Sequence, residues 1–593
     1  MFLKPPKQHL FWYTACFTFG LMAAGYSLLA RGGSRGSRAP PSEEEASLSK
    51  RWLGYSLLVF PLVLAVFSGA RSGSTAAAPE TVRRPKLVIV IVIDQLRYDY
   101  LVRFRPHFVE RGFNLLLSGA NFVNCRYDYA VTATGPGHAT LLTGTYPDIH
   151  GIIENSWYDR SLGREINCVE DATSKLVDVA TEPRDQRGAS PRNLQGSTLG
   201  DELRMASDFK SKVIAVSLKD RGAVLPGGHT ANAAYWYKSS SGHFVSGTYY
   251  MSAIPDWVAK FDQNSPAKDY CGKSWQALPE TPGAGGKVFR ELAAAPGAPC
   301  PDRKFLEGLN STPYISEVEL KFAGEAIRSE HLGQGPATDL LTISLSANDY
   351  IGHAFGPYSL EVADMTLRTD RYLADFFAEV DRTVGLDNVW IALSADHGVA
   401  PTPAFVKEHK LGMGMFHGEM LKEAVDAALT QAFGRDQWIS AMGIPYIYLN
   451  QAALTKRQIS PEKVEAEAAR AAASVPGVKA AFTRTQLLTG GAGHSPLARK
   501  AANSFEIHRS GDVFLILDQF SVPSDGESGT THGAPWNYDA QVPMLLWGSA
   551  FRPGVYALPC EPIDLAATLA AALGLTQPSG ARGHPLEQAL RQR

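Results

Sequence analysis

A chain of 593 residues with 45% apolar and 20% charged side chains can bury a large core, which excludes collagen-like, wholesale disordered and polytopic membrane classes. Its 57 Lys/Arg and 59 Asp/Glu leave a net charge of −2, and beyond residue 75 the balance is 49 against 56, a net of −7. A mildly acidic body lacks the basic face that phosphate-backbone binding needs, so no nucleic acid is expected as a partner.

Two apolar blocks, 11–30 and 52–70, open the chain around a stretch carrying Arg31, Arg35, Arg38, Lys50 and Arg51. Lys50-Arg51, the second block and the small residues at 68–70 or 76–78 have the order of a secretory signal. Alternatively the two blocks form a transmembrane hairpin with its basic loop in the cytoplasm. Both readings make residues 1–80 a leader and export the rest to the periplasm or beyond. Membrane contact is expected only through that leader, if it stays uncleaved.

Near-continuous apolar runs then recur at 86–94 (KLVIVIVID), 211–218, 340–346, 389–394, 513–517 and 542–547. Runs of this length without polar alternation predict strands covered on both faces, and helical patterns at 316–330 and 360–384 lie between them. The expected fold is therefore an open, doubly wound, mostly parallel α/β sheet. Two intervals break the rhythm: 226–313, rich in Gly, Pro and aromatics, and 404–507, which contains a helical pattern at 461–473. Both read as insertions that decorate one catalytic domain, 81–593, and roof its pocket.

Five cysteines follow the leader, Cys125, Cys168, Cys271, Cys300 and Cys560, with no C-x-x-C pair to suggest a zinc ribbon. In an oxidising compartment the expected pairs are Cys125–Cys168 and Cys271–Cys300, leaving Cys560 over. The alternative is buried free thiols.

Open α/β sheets bind ligands beyond the carboxyl ends of their strands. There this sequence places Asp94, Asp349 with His353, Asp396 with His397, and His532 in a Gly/Thr loop at 529–533. One aspartate at a strand end is ordinarily a cap or turn residue. Six carboxylate and imidazole donors at the ends of one sheet are not explained that way. Such a set, free of thiolates, suits Zn²⁺ with an open position, with Mn²⁺ or Co²⁺ as substitutes. Completed by a hydroxyl, the six could hold two ions.

The hydroxyl candidate is Thr134, in Thr134-Gly-Pro-Gly-His138, where Pro136 suits the first turn of a helix. A threonine at a helix N-terminus sits where free N–H groups and the helix dipole favour an oxyanion. Thr132 competes but lies two residues further from the helix start. Lys219 and Arg221 follow a strand two residues apart, so both can reach one side of the chain and bind a dianionic phosphate.

These stretches resemble the alkaline phosphatase superfamily, and within it the phosphate-irrepressible, PafA-like enzymes with a threonine nucleophile. The resemblance runs from about residue 86 to 547 and includes Asp94, Thr134-Gly-Pro-Gly-His138, the stretch 150–155 ending in Asn155, Lys219-Asp-Arg221, Asp349 with His353, Asp396-His397-Gly and Thr531-His532-Gly. It implies one zinc held by Asp94, Thr134, Asp396 and His397 and another by Asp349, His353 and His532. It also implies a covalent phosphothreonine at Thr134, with Asn155, Lys219 and Arg221 on the non-bridging phosphate oxygens. The expected activity is hydrolysis of small-molecule phosphate monoesters by a monomer. The alternatives are a phosphodiesterase or nucleotide pyrophosphatase of the same superfamily, and a non-catalytic exported metal-binding protein. No C-x-P-x-R or S-x-P-x-R segment supplies the precursor a sulfatase needs.

Overall fold

The computed structural model describes residues 82–179, 187–524 and 526–591, so the leader expectations lie outside the described residues. Glu80–Arg593 forms one compact unit. Among the described residues no helix is long and apolar enough to cross a membrane.

An eleven-stranded sheet forms the core. At its centre run Val389–Ser394, Leu87–Ile93, Asp339–Leu345, Val213–Ser217 and Ala233–Lys238, in that order and all parallel. On one side follow Gln541–Trp547 and Ala120–Arg126, each antiparallel to its inner neighbour, and then Gly554–Tyr556 at the edge. On the other side His243–Gly247, Glu170–Val177 and Arg187–Ala189 complete the sheet, all antiparallel. Every residue of Leu87–Ile93, Asp339–Leu345 and Val389–Ser394 is buried, as helices on both faces require. The Tyr314–Ser329 and Leu360–Thr383 helices match the two expected helical patterns.

Register positions the site. Val92 pairs with both Ser344 and Ser394, and Ser344 pairs with Ser217. Two residues further along, Asp94, Ser346, Asp396 and Lys219 therefore leave the sheet at one level and at its carboxyl edge.

Three expectations are corrected. The run 513–517 is a strand, but it belongs to a separate four-stranded sheet with Ile439–Gly443, Tyr446–Leu449 and Val478–Thr483. Val513, Leu515 and Leu517 join a separate core with the Gly418–Phe433 and Pro461–Ala473 helices, while Phe514 and Ile516 pack with Ala133, Ala139 and Ala215 of the main body; an apolar run reports burial and cannot report which sheet buries it. The interval 226–313 contributes Ala233–Lys238 and His243–Gly247 to the main sheet before its chain turns irregular. The cysteine pairing also differs. Cys271–Cys300 is a disulfide, whereas Cys125, Cys168 and Cys560 are free and buried. Cys125 and Cys168 cannot meet because they lie in different apolar clusters, Cys168 packing beside Gly135.

Candidate active site

Two central strands, Leu87–Ile93 and Val389–Ser394, deliver Asp94, Asp396 and His397 with no measurable exposure. The neighbouring strand Asp339–Leu345 leads into the Ala347–Phe355 helix, whose first turn carries Asp349 and whose next turn carries His353. That i, i+4 spacing puts His353 Nε2 3.1 Å from Asp349 Oδ1. His532 arrives from its loop with Nε2 3.8 Å from the same oxygen, and its ring stacks on His397 at 3.6 Å between centroids. His397 Nε2 lies 3.4 Å from Asp94 Oδ1 and 3.5 Å from Asp396 Oδ2. All six donors expected from the sequence thus converge.

The three imidazoles are oriented alike. The Nδ1–H of His353 donates to the Thr530 carbonyl, that of His397 to Gly398 and that of His532 to Thr132, each at 2.8 Å. Because each partner is a carbonyl, Nδ1 must carry the proton and Nε2 keeps its lone pair toward the cluster. Fixing the tautomer through the far nitrogen is how proteins prepare metal-ligating histidines.

Charge makes the same point. Burial and the nearby Asp349 and Asp396 carboxylates push Asp94 well above the usual range, although Lys219 opposes them. Burial would also raise Asp349, but Lys219 and His353 outweigh it and hold that carboxyl well below the ordinary value. Burial and its two histidine neighbours push His532 down, so it is neutral. The Lys219 ammonium lies 2.7 Å from Asp94 Oδ2 and 2.6 Å from Asp349 Oδ2, one cation among three carboxylates. Among the described residues, Asp94 Oδ1 and Asp396 Oδ2 are buried with no hydrogen-bond partner. Unmatched buried acceptors are costly unless a cation neutralises them. Two donor groups, Asp349/His353/His532 and Asp94/Asp349/His397, each bring their ligand atoms within 4.8 Å of one another. This set fits divalent metal.

Thr134 is the first residue of the Thr134–Thr143 helix, which is buried along its whole length and lacks a side-chain cap at Ala133. Its hydroxyl faces the cluster, 3.4 Å from His397 Nε2. Gly137 lets that helix lie against the Asp396 backbone, where a Cβ would come within 2.2 Å of the Asp396 carbonyl. The Thr132 hydroxyl donates instead to the Ala534 carbonyl at 2.9 Å. Asn155 Oδ1 accepts from the Gly135 N–H at 2.7 Å, which leaves its NH₂ to donate elsewhere. Among the described residues Arg221 Nε is buried without a partner, and Asp220, at 3.9 Å, is its ion-pair neighbour. Asn155, His353 and His532 line a cavity of about 400 Å³ whose far wall is Ile444, Pro445 and the Phe514–Leu517 segment of the smaller sheet.

Comparison with known proteins agrees with this geometry. Residues 88–535 match the type I phosphodiesterase / nucleotide pyrophosphatase family. Over 556 residues the chain is 34% identical to the alkaline phosphatase PafA of Elizabethkingia meningoseptica, covering 91% of this chain and 99% of that one. The chain belongs to this family, among its PafA-like alkaline phosphatases. It is also 36% identical over 532 residues to the alkaline phosphatase PhoV of Synechococcus elongatus, covering 86% of this chain and 94% of that one. A protein of Myroides odoratus named a calcium-transporting ATPase is 34% identical over 534 residues, covering 87% and 96%. The crystal structure of PafA superposes with a TM-score of 0.79, covering 86% of this chain and all of that one.

A PafA-like alkaline phosphatase implies a metal cofactor, and two residues to which the sequence reading gave no role help to shape its donors here. Gln95 adopts a left-handed backbone, φ 67°, rare for a side chain of its size. In that pose its N–H donates to Asp396 Oδ1 at 3.1 Å and its amide to Asp349 Oδ1 at 2.6 Å, joining two strand ends. Gly352 makes room for it; a Cβ there would overlap Gln95 Oε1 at 1.7 Å. His138 spans Thr134 and Asp396: its Nδ1 lies 2.8 Å from the Thr134 carbonyl and 3.2 Å from Asp396 Oδ2, and Ser344 Oγ donates to its Nε2 at 2.7 Å. Both act by positioning. Position directly after Asp94 was the available signal for Gln95. For His138 it was the i, i+4 offset from Thr134.

Proposed function

We propose that this chain hydrolyses phosphate monoesters at a two-zinc site and releases inorganic phosphate through a covalent phosphothreonine on Thr134. The observation that carries the reading is a single convergence. A hydroxyl at a helix N-terminus, three tautomer-fixed imidazoles, three carboxylates and the Lys219 ammonium meet at one edge of the sheet.

One ion would be held by Asp94, Thr134, Asp396 and His397, and the other by Asp349, His353 and His532. Imidazole and carboxylate donors without thiolate favour zinc over calcium or magnesium, with manganese and cobalt as substitutes. When bound, such ions supply Lewis-acid polarisation of phosphoryl oxygens and make oxygen nucleophiles available at mild pH. The chain's own groups do the remaining work. Thr134 Oγ1 attacks phosphorus as the bond to the leaving-group oxygen breaks. Water then attacks the same phosphorus and returns the threonine hydroxyl. The positive end of the Thr134–Thr143 helix dipole and the Asn155 amide face the charge that develops on the equatorial oxygens. Lys219 and Arg221 add two positive charges, suited to the dianion of a monoester more than to the monoanion of a diester.

Export through the leader 1–80 is part of the reading, and the Cys271–Cys300 disulfide supports an oxidising compartment. All donors come from one chain, so the reading needs no second copy. The test compares p-nitrophenyl phosphate with its bis-ester on the zinc-loaded protein. Faster turnover of the monoester is expected, and preference for the bis-ester would replace this reading with a phosphodiesterase.

A further inference from the structure

We infer that Cys125 and Cys560 form a second disulfide bond in the exported protein. The two lie side by side on adjacent backbones, paired as an isolated parallel bridge. The Arg126 N–H donates to the Cys560 carbonyl at 3.0 Å and the Cys560 N–H to the Asn124 carbonyl at 3.2 Å, so the register is fixed on both sides of Cys125. Adjacent strands run about 4.8 Å apart, and disulfides accept Cα separations of roughly 4.4–6.8 Å. The register shift between Phe122 and Cys125 interrupts the regular pairing just before the cysteine.

Competition is absent among the described cysteines. Cys271 and Cys300 are joined to each other, and Cys168 sits in a different apolar cluster. Both thiols are shut away from solvent, Cys125 at 0% and Cys560 at 5% exposure. Burial, Cys560 itself and the Asp564 and Glu561 carboxylates hold the Cys125 thiol well above its ordinary value. Little thiolate exists once the chain has closed, so the bond forms while the segment around residue 560 is still docking. In that step each thiol loses a proton and together they lose two electrons. A sulfur–sulfur bond forms, and a disulfide-carrying oxidoreductase of the compartment accepts the electrons and becomes a dithiol.

The position gives the bond a purpose. Cys125 is the penultimate residue of the Ala120–Arg126 strand, nine residues before Thr134. Cys560 precedes Glu561, whose carboxylate accepts from the Tyr146 hydroxyl at 2.5 Å, and the Asp564–Leu573 helix. A covalent tie here fastens the carboxyl-terminal segment to the strand that feeds the nucleophile's helix.

The experiment uses full-length protein purified after export, unfolded without reductant in the presence of iodoacetamide, digested and read by mass spectrometry. The expected result is a linked Cys125–Cys560 peptide pair beside the Cys271–Cys300 pair, with Cys168 alkylated. Alkylation of both Cys125 and Cys560, or a Cys125–Cys168 link, would overturn the inference. A Cys560→Ser variant should expose Cys125 to alkylation; Cys125 already labelled to the same extent in the unaltered chain counts against the bond.

Discussion

The carboxyl edge of the main sheet and the smaller four-stranded sheet both border the same cavity, yet they are built on different terms. The edge supplies polar donors, Asp94, Asp396 and His397 fully buried and His353 and His532 open to the cavity, each locked by strand register or by a hydrogen bond to its far side. The smaller sheet supplies apolar wall, chiefly the Phe514–Leu517 segment with Ile444 and Pro445, with one face on a core of its own and the other, through Tyr446, Phe514 and Ile516, against the main body. Chemistry is thus placed at the strand ends of the main sheet. Shape complementarity to whatever the phosphate carries falls to the other.

Predictions follow that division, from the largest effect down. Chelation should reduce turnover to background and zinc should restore it; activity that survives exhaustive chelation, read on p-nitrophenyl phosphate, would break the assignment of the edge. Thr134→Ala should lower kcat/KM by at least about 10³-fold, as removal of a covalent nucleophile does, while circular dichroism and melting temperature stay unchanged. Arg221→Ala should cost about 10²-fold on a monoester and clearly less on a diester, so equal losses would remove its role in charge recognition. On the other side of the cavity, Phe514→Ala should change KM by only a few-fold and differ between bulky and small leaving groups, leaving inhibition by inorganic phosphate in place.

A last prediction concerns the join between the two regions. His150 is buried against Thr140 and Ile152, and Arg509 lies close enough to repel its charged form. Burial first, and Arg509 second, lower its pKa from 6.5 to about 3. The folded chain therefore refuses a proton that the unfolded chain accepts at about 6.5. Stability from this group is complete above that pH and declines as pH falls from 6.5 toward 3. Urea midpoints measured across that window should slope downward, and His150→Gln should flatten part of the slope.

Much of this was legible in the sequence, for identifiable reasons. Asp94, Asp396 and His397 end apolar runs whose burial no other element type explains as well, and Asp349 and His353 keep helical spacing. The Pro461–Ala473 helix was readable from its own period. The partner of strand 513–517 was not, because sheet membership depends on pairing across distant sequence. Nor was the pair Ala233–Lys238 and His243–Gly247, hidden at the head of an irregular Gly- and Pro-rich interval. Gln95 needed its backbone angle before its role could be seen, and the Cys125–Cys560 neighbourhood depends on a contact across 435 positions that no local pattern encodes.

The common level at which Asp94, Asp396 and Lys219 leave their strands has one more implication. Pleated strands alternate sides, so one added or deleted residue inside Leu87–Ile93, Val213–Ser217 or Val389–Ser394 would displace a side chain by about 3.3 Å along the strand and flip it to the opposite face. Length changes are tolerable only beyond those termini. Engineers wanting a new leaving-group preference could therefore vary the cavity wall at Ile444, Pro445 and Phe514 and leave the strand ends that carry the reactive constellation untouched.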